Sequence, residues 1–152
     1  RYFEVVLAAA NTRLSEMTQG QYELVRCERI EGGSAKVGLN VDVLDNFTGK
    51  ARSAKSLSGG EKFMASLALA LGLSEVVQRQ AGGIQLDTMF VDEGFGSLDQ
   101  EKLRLVMRAM SRPGSSGKLV GIISHVEELM GTIDRKIVVE RGREGSTLRV
   151  EV

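Results

Sequence analysis

Residues 56–73 read SLSGGEKFMASLALALGL, a polar turn with paired glycines at the mouth of an almost wholly apolar helix. Ser58 and Glu61 have the spacing of a capping box, in which the serine hydroxyl accepts from the third helical amide and the glutamate reaches back to the cap. A cap does not account for Gly59 and Gly60, because glycine at a helical position costs about 1 kcal/mol relative to alanine. Bare backbone in a first helical turn lets a ligand approach the free amides closely, and a phosphate is the natural visitor, favoured also by the helix dipole. On this stretch alone, plain capping and phosphate contact both stay open. The apolar run Phe63–Leu73 is shorter than the roughly 20 residues that span a bilayer. It reads as a buried helix reaching about Gln80.

The chain around this helix has 152 residues, 42% hydrophobic and 26% charged, a composition suited to one domain with a sizeable core. Lys plus Arg and Asp plus Glu balance at 20 each, so no overall field draws nucleic acid or an acidic membrane surface. Cys27 stands alone and cannot form an internal disulfide. With no secretory segment at the start, the expectation is a reduced, cytoplasmic protein.

Upstream, Phe3, Leu7, Ala10, Leu14 and Met17 recur at steps of four and three. That spacing fits either an ordinary amphipathic helix or the end of a coiled coil, stopped by Gly20. Beyond it the period changes to two. Tyr22 and Leu24, then Val37, Leu39, Val41 and Val43, alternate as half-buried strands around a turn at Gly32-Gly33. Lys50, Arg52 and Lys55 then read as a solvated basic loop leading into the glycine turn. Gly49-Lys50 and Gly117-Lys118 are not phosphate loops. Leu44 and Arg112 stand where that motif needs its first glycine, and Ala51 and Leu119 where it needs Ser or Thr.

Downstream of Gly82-Gly83, Ile84–Val91 is an apolar run that ends abruptly in Asp92-Glu93, as a parallel strand does when its C-terminal end carries a site. Gly94 and Gly96 form a tight loop, and Asp99 is placed to cap a helix from Gln100 to about Met110. After the break at Pro113, Gly114 and Gly117, Lys118–Ser124 reads as a second buried strand. Ser124 and Glu127 repeat the capping-box spacing for a short helix beginning at the single histidine, His125. Ile137–Glu140 and Leu148, Val150 and Val152 predict a closing hairpin around Gly142–Gly145.

LSGGE, a hydrophobic strand ending in DE, then GFGSLD and SH stand in this order and at these separations. Together they resemble the signature, Walker B, D-loop and H-loop motifs of an ABC-type ATPase, and within that superfamily the chain is similar to the C-terminal half of the SbcC family. The resemblance covers essentially the whole chain. It implies an α/β fold, the C-terminal half of an ABC-type ATPase head in the P-loop NTPase superfamily, with residues 1–19 the returning end of an antiparallel coiled coil and residues 20–152 the C-terminal lobe. It implies ATP and Mg²⁺, with Asp92 at the metal, Glu93 on the attacking water and His125 at the γ-phosphate. Ser58, Gly59, Gly60 and Glu61 would face the ATP of an opposing head, and Asp99 would couple the two sites. The implied partners are the N-terminal half that brings the phosphate loop, a second SbcC-like protomer, an SbcD-like nuclease and double-stranded DNA. Without that N-terminal half the chain is expected to be inactive. Two other readings stand beside this one: a head from another ABC-type ATPase, whether chromosome-organising, DNA-repair or transporter type, and a non-catalytic dimerisation module in which the acids and glycine turns only cap helices.

Overall fold

The computed structural model describes residues 2–27, 41–80, 88–111 and 119–152. Helix α1 (Tyr2–Thr18) buries Leu7, Ala10, Leu14 and Met17, the predicted apolar stripe, in the common core. It ends as helices commonly do, with a left-handed residue: Gln19 has φ 53°, and the Gly20 amide reaches back to the Ser15 carbonyl at 2.9 Å. Strand β1 (Tyr22–Arg26) follows, fastened to α1 by one side chain. Asn11 donates to the Leu24 carbonyl at 2.9 Å and accepts from the Leu24 amide at 2.8 Å, standing in for a neighbouring strand.

Antiparallel to β1 runs β2 (Val41–Asp45), and antiparallel to β2 runs β3 (Lys50–Ser53), in the order β1-β2-β3. The glycine pair expected to turn between the first two strands lies outside the described residues. The basic stretch expected to be a solvated loop is instead strand β3 and a single 3₁₀ turn, Ala54–Ser56. Alternation failed there because a four-residue edge strand with polar side chains presents no hydrophobic face to read.

Helix α2 (Gly59–Gln80) is the long element of the core and packs along α1. The two axes come unusually close at one point. A methyl group added to Gly72 would lie 2.5 Å from the Ala10 amide nitrogen and 2.8 Å from its Cα. Arg13, mostly buried, ties the third helix to this pair, donating to the Ala109 carbonyl at 3.3 Å and lying 3.7 Å from Glu75.

Strands β4 (Thr88–Asp92) and β5 (Leu119–Ile123) form a parallel pair with Thr88 opposite Leu119 and Asp92 opposite Ile123. Helix α3 (Gln100–Met110) lies between them in the chain, giving the β-α-β order that parallel pairing requires. Residues 84–87 and Lys118, expected to belong to these strands, lie outside the described residues. Val91 turns inward with Val120 and Ile122 against the core, whereas Phe90, Leu119 and Ile123 are 70%, 65% and 53% exposed on the other face. Phe90 lies over Gly121, where an added methyl would meet its ring at 2.5 Å. Short helix α4 (Glu127–Thr132) precedes the hairpin of β6 (Lys136–Gly142) and β7 (Gly145–Glu151). Its two-residue turn closes at the Gly142–Gly145 pair, as the glycines predict.

Candidate nucleotide-associated site

Three segments carry the predicted site residues, and a single loop joins them. Strand β4 delivers Asp92 and Glu93 to its C-terminal end, both exposed. Glu93 leaves the strand with φ 57°, uncommon for a residue with a side chain, and Gly94 follows at φ 100°. The Glu93 amide still donates to the Ile123 carbonyl at 2.9 Å, so the bend occurs one residue after the ladder ends. The carboxylate turns toward the end of β5. His125 Nδ1 lies 3.1 Å from its Oε1 and 3.0 Å from its Oε2, so with a proton on Nδ1 the ring donates to the carboxylate.

Gly94 must be glycine for a second reason. A methyl there would sit 2.2 Å from the Phe63 ring, which comes from the first turns of α2 and packs edge-on to the fully buried Phe95 at 4.8 Å. Ser97 ties the loop to itself by donating to the Gly94 carbonyl at 2.7 Å. Gly96 passes beside the histidine, since a methyl on it would lie 4.0 Å from His125 Nε2. Asp99 then caps α3, accepting from the Lys102 amide at 2.9 Å. That amide, with the Lys102 ammonium, holds the Asp99 carboxyl below its usual value.

The far side of the same loop touches the glycine turn that opens α2. Ser58 and Glu61 form the predicted capping box: Glu61 Oε2 accepts from the Ser58 amide at 2.7 Å and Ser58 Oγ accepts from the Glu61 amide at 3.4 Å. The paired glycines separate into two roles. Gly60 is buried, and a methyl on it would lie 2.7 Å from the Ser97 carbonyl oxygen and 3.2 Å from Leu98 Cδ2. Gly59 is exposed, and a methyl there would meet Ser97 Cβ at an ordinary 3.7 Å. Close packing on the loop therefore explains Gly60 without a ligand. Gly59 stays open to one.

At the third segment the expected capping box does not form. Ser124 Oγ accepts from the Val126 amide at 3.2 Å, and α4 starts at Glu127 with Val126 as its cap, two residues later than expected. The serine spends its hydroxyl on a local turn, the competing bond that short hydroxyl side chains offer the backbone. His125 is thereby left in the extended linker, outside the helix and facing Glu93.

Sequence reasoning missed the residues that surround Glu61. Tyr22, buried at the start of β1, donates to Glu61 Oε1 at 2.8 Å. Arg52, counted among the solvated basic residues, lies 3.9 Å from Glu61 Oε2 and donates to the Ser56 carbonyl at 3.2 Å. Burial pushes the Glu61 carboxyl up, but the Ser58 amide, the Tyr22 hydroxyl and the Arg52 guanidinium together hold it below its ordinary value. Strand alternation marks Tyr22 as facing inward, but nothing in it says which end of the sheet the tyrosine reaches, so no sequence signal linked it to Glu61.

The donor set suits a hard cation held only in part by protein. Mg²⁺ keeps several waters and takes one or two carboxylates beside phosphate oxygens. An exposed carboxylate at Asp92 fits that use, and no group of three or more His, Cys, Asp or Glu able to hold a metal on its own occurs among the described residues.

A family model described as SbcC/RAD50-like, Walker B motif, matches residues 37–112, which include the glycine turn, the strand-end acids and the following loop. The SbcC component of the SbcCD nuclease from Staphylococcus aureus strains JH9 and Newman is 47% identical over 148 residues, covering 97% of this chain. The chain spans 14% of the length of these relatives. A solved chain from work on the ATP-driven dimerization and DNA-stimulated activation of SMC ATPases superposes with a TM-score of 0.73, covering 99% of this chain and 85% of the other at 16% identity. The Smc head domain of Pyrococcus yayanosii, with its coiled coil and joint, gives 0.67 over 97% of this chain and 27% of the other, again at 16% identity. These structures share the chain's fold, the α/β fold of an Smc head domain. With half of its length matched by the family model and its strand-end acids, glycine loop and glycine turn packed as one unit, the chain belongs to the SbcC/RAD50-like family.

Proposed function

We propose that this chain is the C-terminal part of an ATP-hydrolysing head of an SbcC-like DNA-repair nuclease complex, one that closes in pairs on ATP and acts as a clamp at DNA ends. The observation that carries the reading is the joining of Glu93–His125 to the Ser58–Gly60 turn through the loop 94–99, in a chain of this family. Phosphoryl transfer asks the protein for positioning and charge stabilisation rather than covalent chemistry. Glu93 orients the attacking water and is itself oriented by His125. Asp92 supplies an oxygen ligand to Mg²⁺, which when bound neutralises charge on the phosphates. Ser58 and the amide of exposed Gly59 face the γ-phosphate of ATP held by the opposing head. Glu61 keeps that turn in shape, and Asp99 sets the start of α3 at the boundary between the two sites.

The phosphate loop that this scheme needs comes from an N-terminal part of the same protein, and α1 continues as the base of its coiled coil. The apolar outer face of β4–β5 and one face of the terminal hairpin, where Ile137 pairs with Val150 and Val139 with Leu148, give that part a surface to cover. An SbcD-like nuclease, double-stranded DNA and a cytoplasmic location complete the proposal. No helix among the described residues is long and apolar enough to cross a membrane. The test is steady-state ATP hydrolysis by the chain alone and with the N-terminal part of its parent. Activity is expected only in the mixture. There, Glu93→Gln lowers turnover at least about 100-fold, the scale of a lost general base, while ATP-dependent pairing of heads persists. Undiminished hydrolysis by that variant removes Glu93 from the role.

A further inference from the structure

Glu61 carries more contacts than a capping box requires, and the additional ones come from a different part of the fold. A capping glutamate needs only the Ser58 amide. Here its other oxygen accepts from Tyr22 on β1, and Arg52 on β3 lies close to both: Arg52 Nη2 is 3.5 Å from the Tyr22 hydroxyl and 3.9 Å from Glu61 Oε2. The guanidinium carbon stands 5.8 Å from the centre of the Tyr22 ring. The other arm of the fork reaches back along the chain, with Arg52 Nη1 3.2 Å from the Ser56 carbonyl and 3.3 Å from Ser56 Oγ. Ser56 Oγ in turn donates to the Ser53 carbonyl at 2.7 Å. The turn is therefore gripped on both sides, at Ser56 by Arg52 and at Ser58 by Glu61, and the two grips meet at Tyr22.

This arrangement decides which groups of the turn face outward. The Ser58 amide is spent on Glu61, and Ser58 Oγ accepts from the Glu61 amide, so the hydroxyl proton of Ser58 points elsewhere. The amides of Gly59 and Gly60, as the first in the helix, have no intrahelical acceptor. We infer that Tyr22 and Arg52 are positioning residues for the Ser58–Gly60 turn, holding Glu61 and Ser56 so that the Ser58 hydroxyl and the Gly59 amide are aimed at an anion before it arrives. The inference rests on the proposed function for what that anion is, a γ-phosphate from an opposing head. The benefit is preorganisation: donors already in place cost no ordering when the ligand binds.

The experiment uses the full-length parent protein with Tyr22→Phe, Arg52→Met and Arg52→Lys. Tyr22→Phe removes one hydroxyl and keeps the buried ring. Two readouts are taken: hydrogen exchange of the 54–62 backbone without nucleotide, and the ATP concentration dependence of hydrolysis. Loss of a hydrogen bond to a charged group predicts about tenfold faster exchange at the Ser58 amide and a rise in half-saturating ATP of the same order, with turnover at saturation within about twofold. Arg52→Lys behaves like Arg52→Met, because an ammonium cannot hold Tyr22 and Ser56 at once as the guanidinium fork does. Unchanged exchange overturns the inference. So does faster exchange with an unchanged ATP dependence, which makes the network a plain cap, and so does full rescue by lysine, which reduces Arg52 to a charge. If the unsubstituted protein hydrolyses no ATP while its Ser58 amide remains protected, the functional reading fails first and the aim assigned to the turn falls with it.

Discussion

Substituting alanine at Gly59 and at Gly60 separately tests whether the paired glycines have one purpose or two. Alanine improves helix propensity by up to about 1 kcal/mol at either place. At Gly60 that gain meets a backbone clash, because the new methyl lands 2.7 Å from the Ser97 carbonyl oxygen and 3.2 Å from Leu98 Cδ2. Neither α2 nor the loop can yield alone: Phe95, two residues before Ser97, is fully buried against Phe63 from the same helix. Overpacking of this kind costs about 1–3 kcal/mol. The net expectation for Gly60→Ala is a loss of about 1–2 kcal/mol, which in a chain of this size lowers the melting midpoint by roughly 2–8 °C. At Gly59 the methyl meets Ser97 Cβ at 3.7 Å and φ is unexceptional, so stability is unchanged or slightly raised. ATP hydrolysis by the complete head reverses the ranking of harm per unit of stability: Gly59→Ala impairs ATP use while melting normally. Thermal melts followed by circular dichroism, beside the hydrolysis assay, separate the two effects. A Gly60→Ala protein as stable as its parent refutes the packing argument, and a fully active Gly59→Ala protein refutes the open role of Gly59.

Gly72→Ala pushes a methyl onto the Ala10 backbone, 2.5 Å from its nitrogen, and forces α1 and α2 apart. A loss of about 1–3 kcal/mol is expected, read as an earlier denaturant midpoint; an unchanged midpoint means the helices separate at no cost. The Glu61 carboxyl is held below its ordinary value of 4.5 in the folded chain, so its contribution to stability is fully present above about pH 4.5 and is lost as pH falls through the lower folded value. Glu61→Gln therefore flattens that part of the acid limb of the stability curve, and superimposable limbs from the two proteins contradict the assignment.

Periodicity carried much of the architecture because most of the core lies on long regular elements. The α1 stripe from Leu7 to Met17, the buried run of α2, the strand ending at Asp92 and the cap at Asp99 were all visible as spacings. What escaped were features set by contacts between distant segments. Arg52 reads as a loop charge until β3 pairs with β2 and turns it toward Tyr22. Ser124 and Glu127 had the capping-box spacing, but spacing alone does not say that the serine bonds the Val126 amide instead. Close approach to bare backbone holds at Gly60, where the approaching group is the Ser97 carbonyl of the same chain, whereas Gly59 makes only an ordinary contact.

Under the proposed function, the Gly60 contact links the two half-sites through one loop. The loop 94–99 starts at Glu93, passes His125 at Gly96, presses its Ser97 carbonyl onto Gly60 and ends in the Asp99 cap of α3. Its buried anchor, Phe95, leans on Phe63 of α2, so the carboxylate end and the glycine turn share one packed side chain pair. A close-packed interior moves between discrete arrangements rather than deforming gradually. Under the proposed function, a movement of this loop on nucleotide binding would be absorbed by Gly94 and Gly96 or be passed to the start of α2. The absence of room at Gly60 favours the second course. Since α2 packs along α1 with no gap at Gly72, a displacement that begins at the strand-end acids has a continuous path of direct contacts to the N-terminal helix.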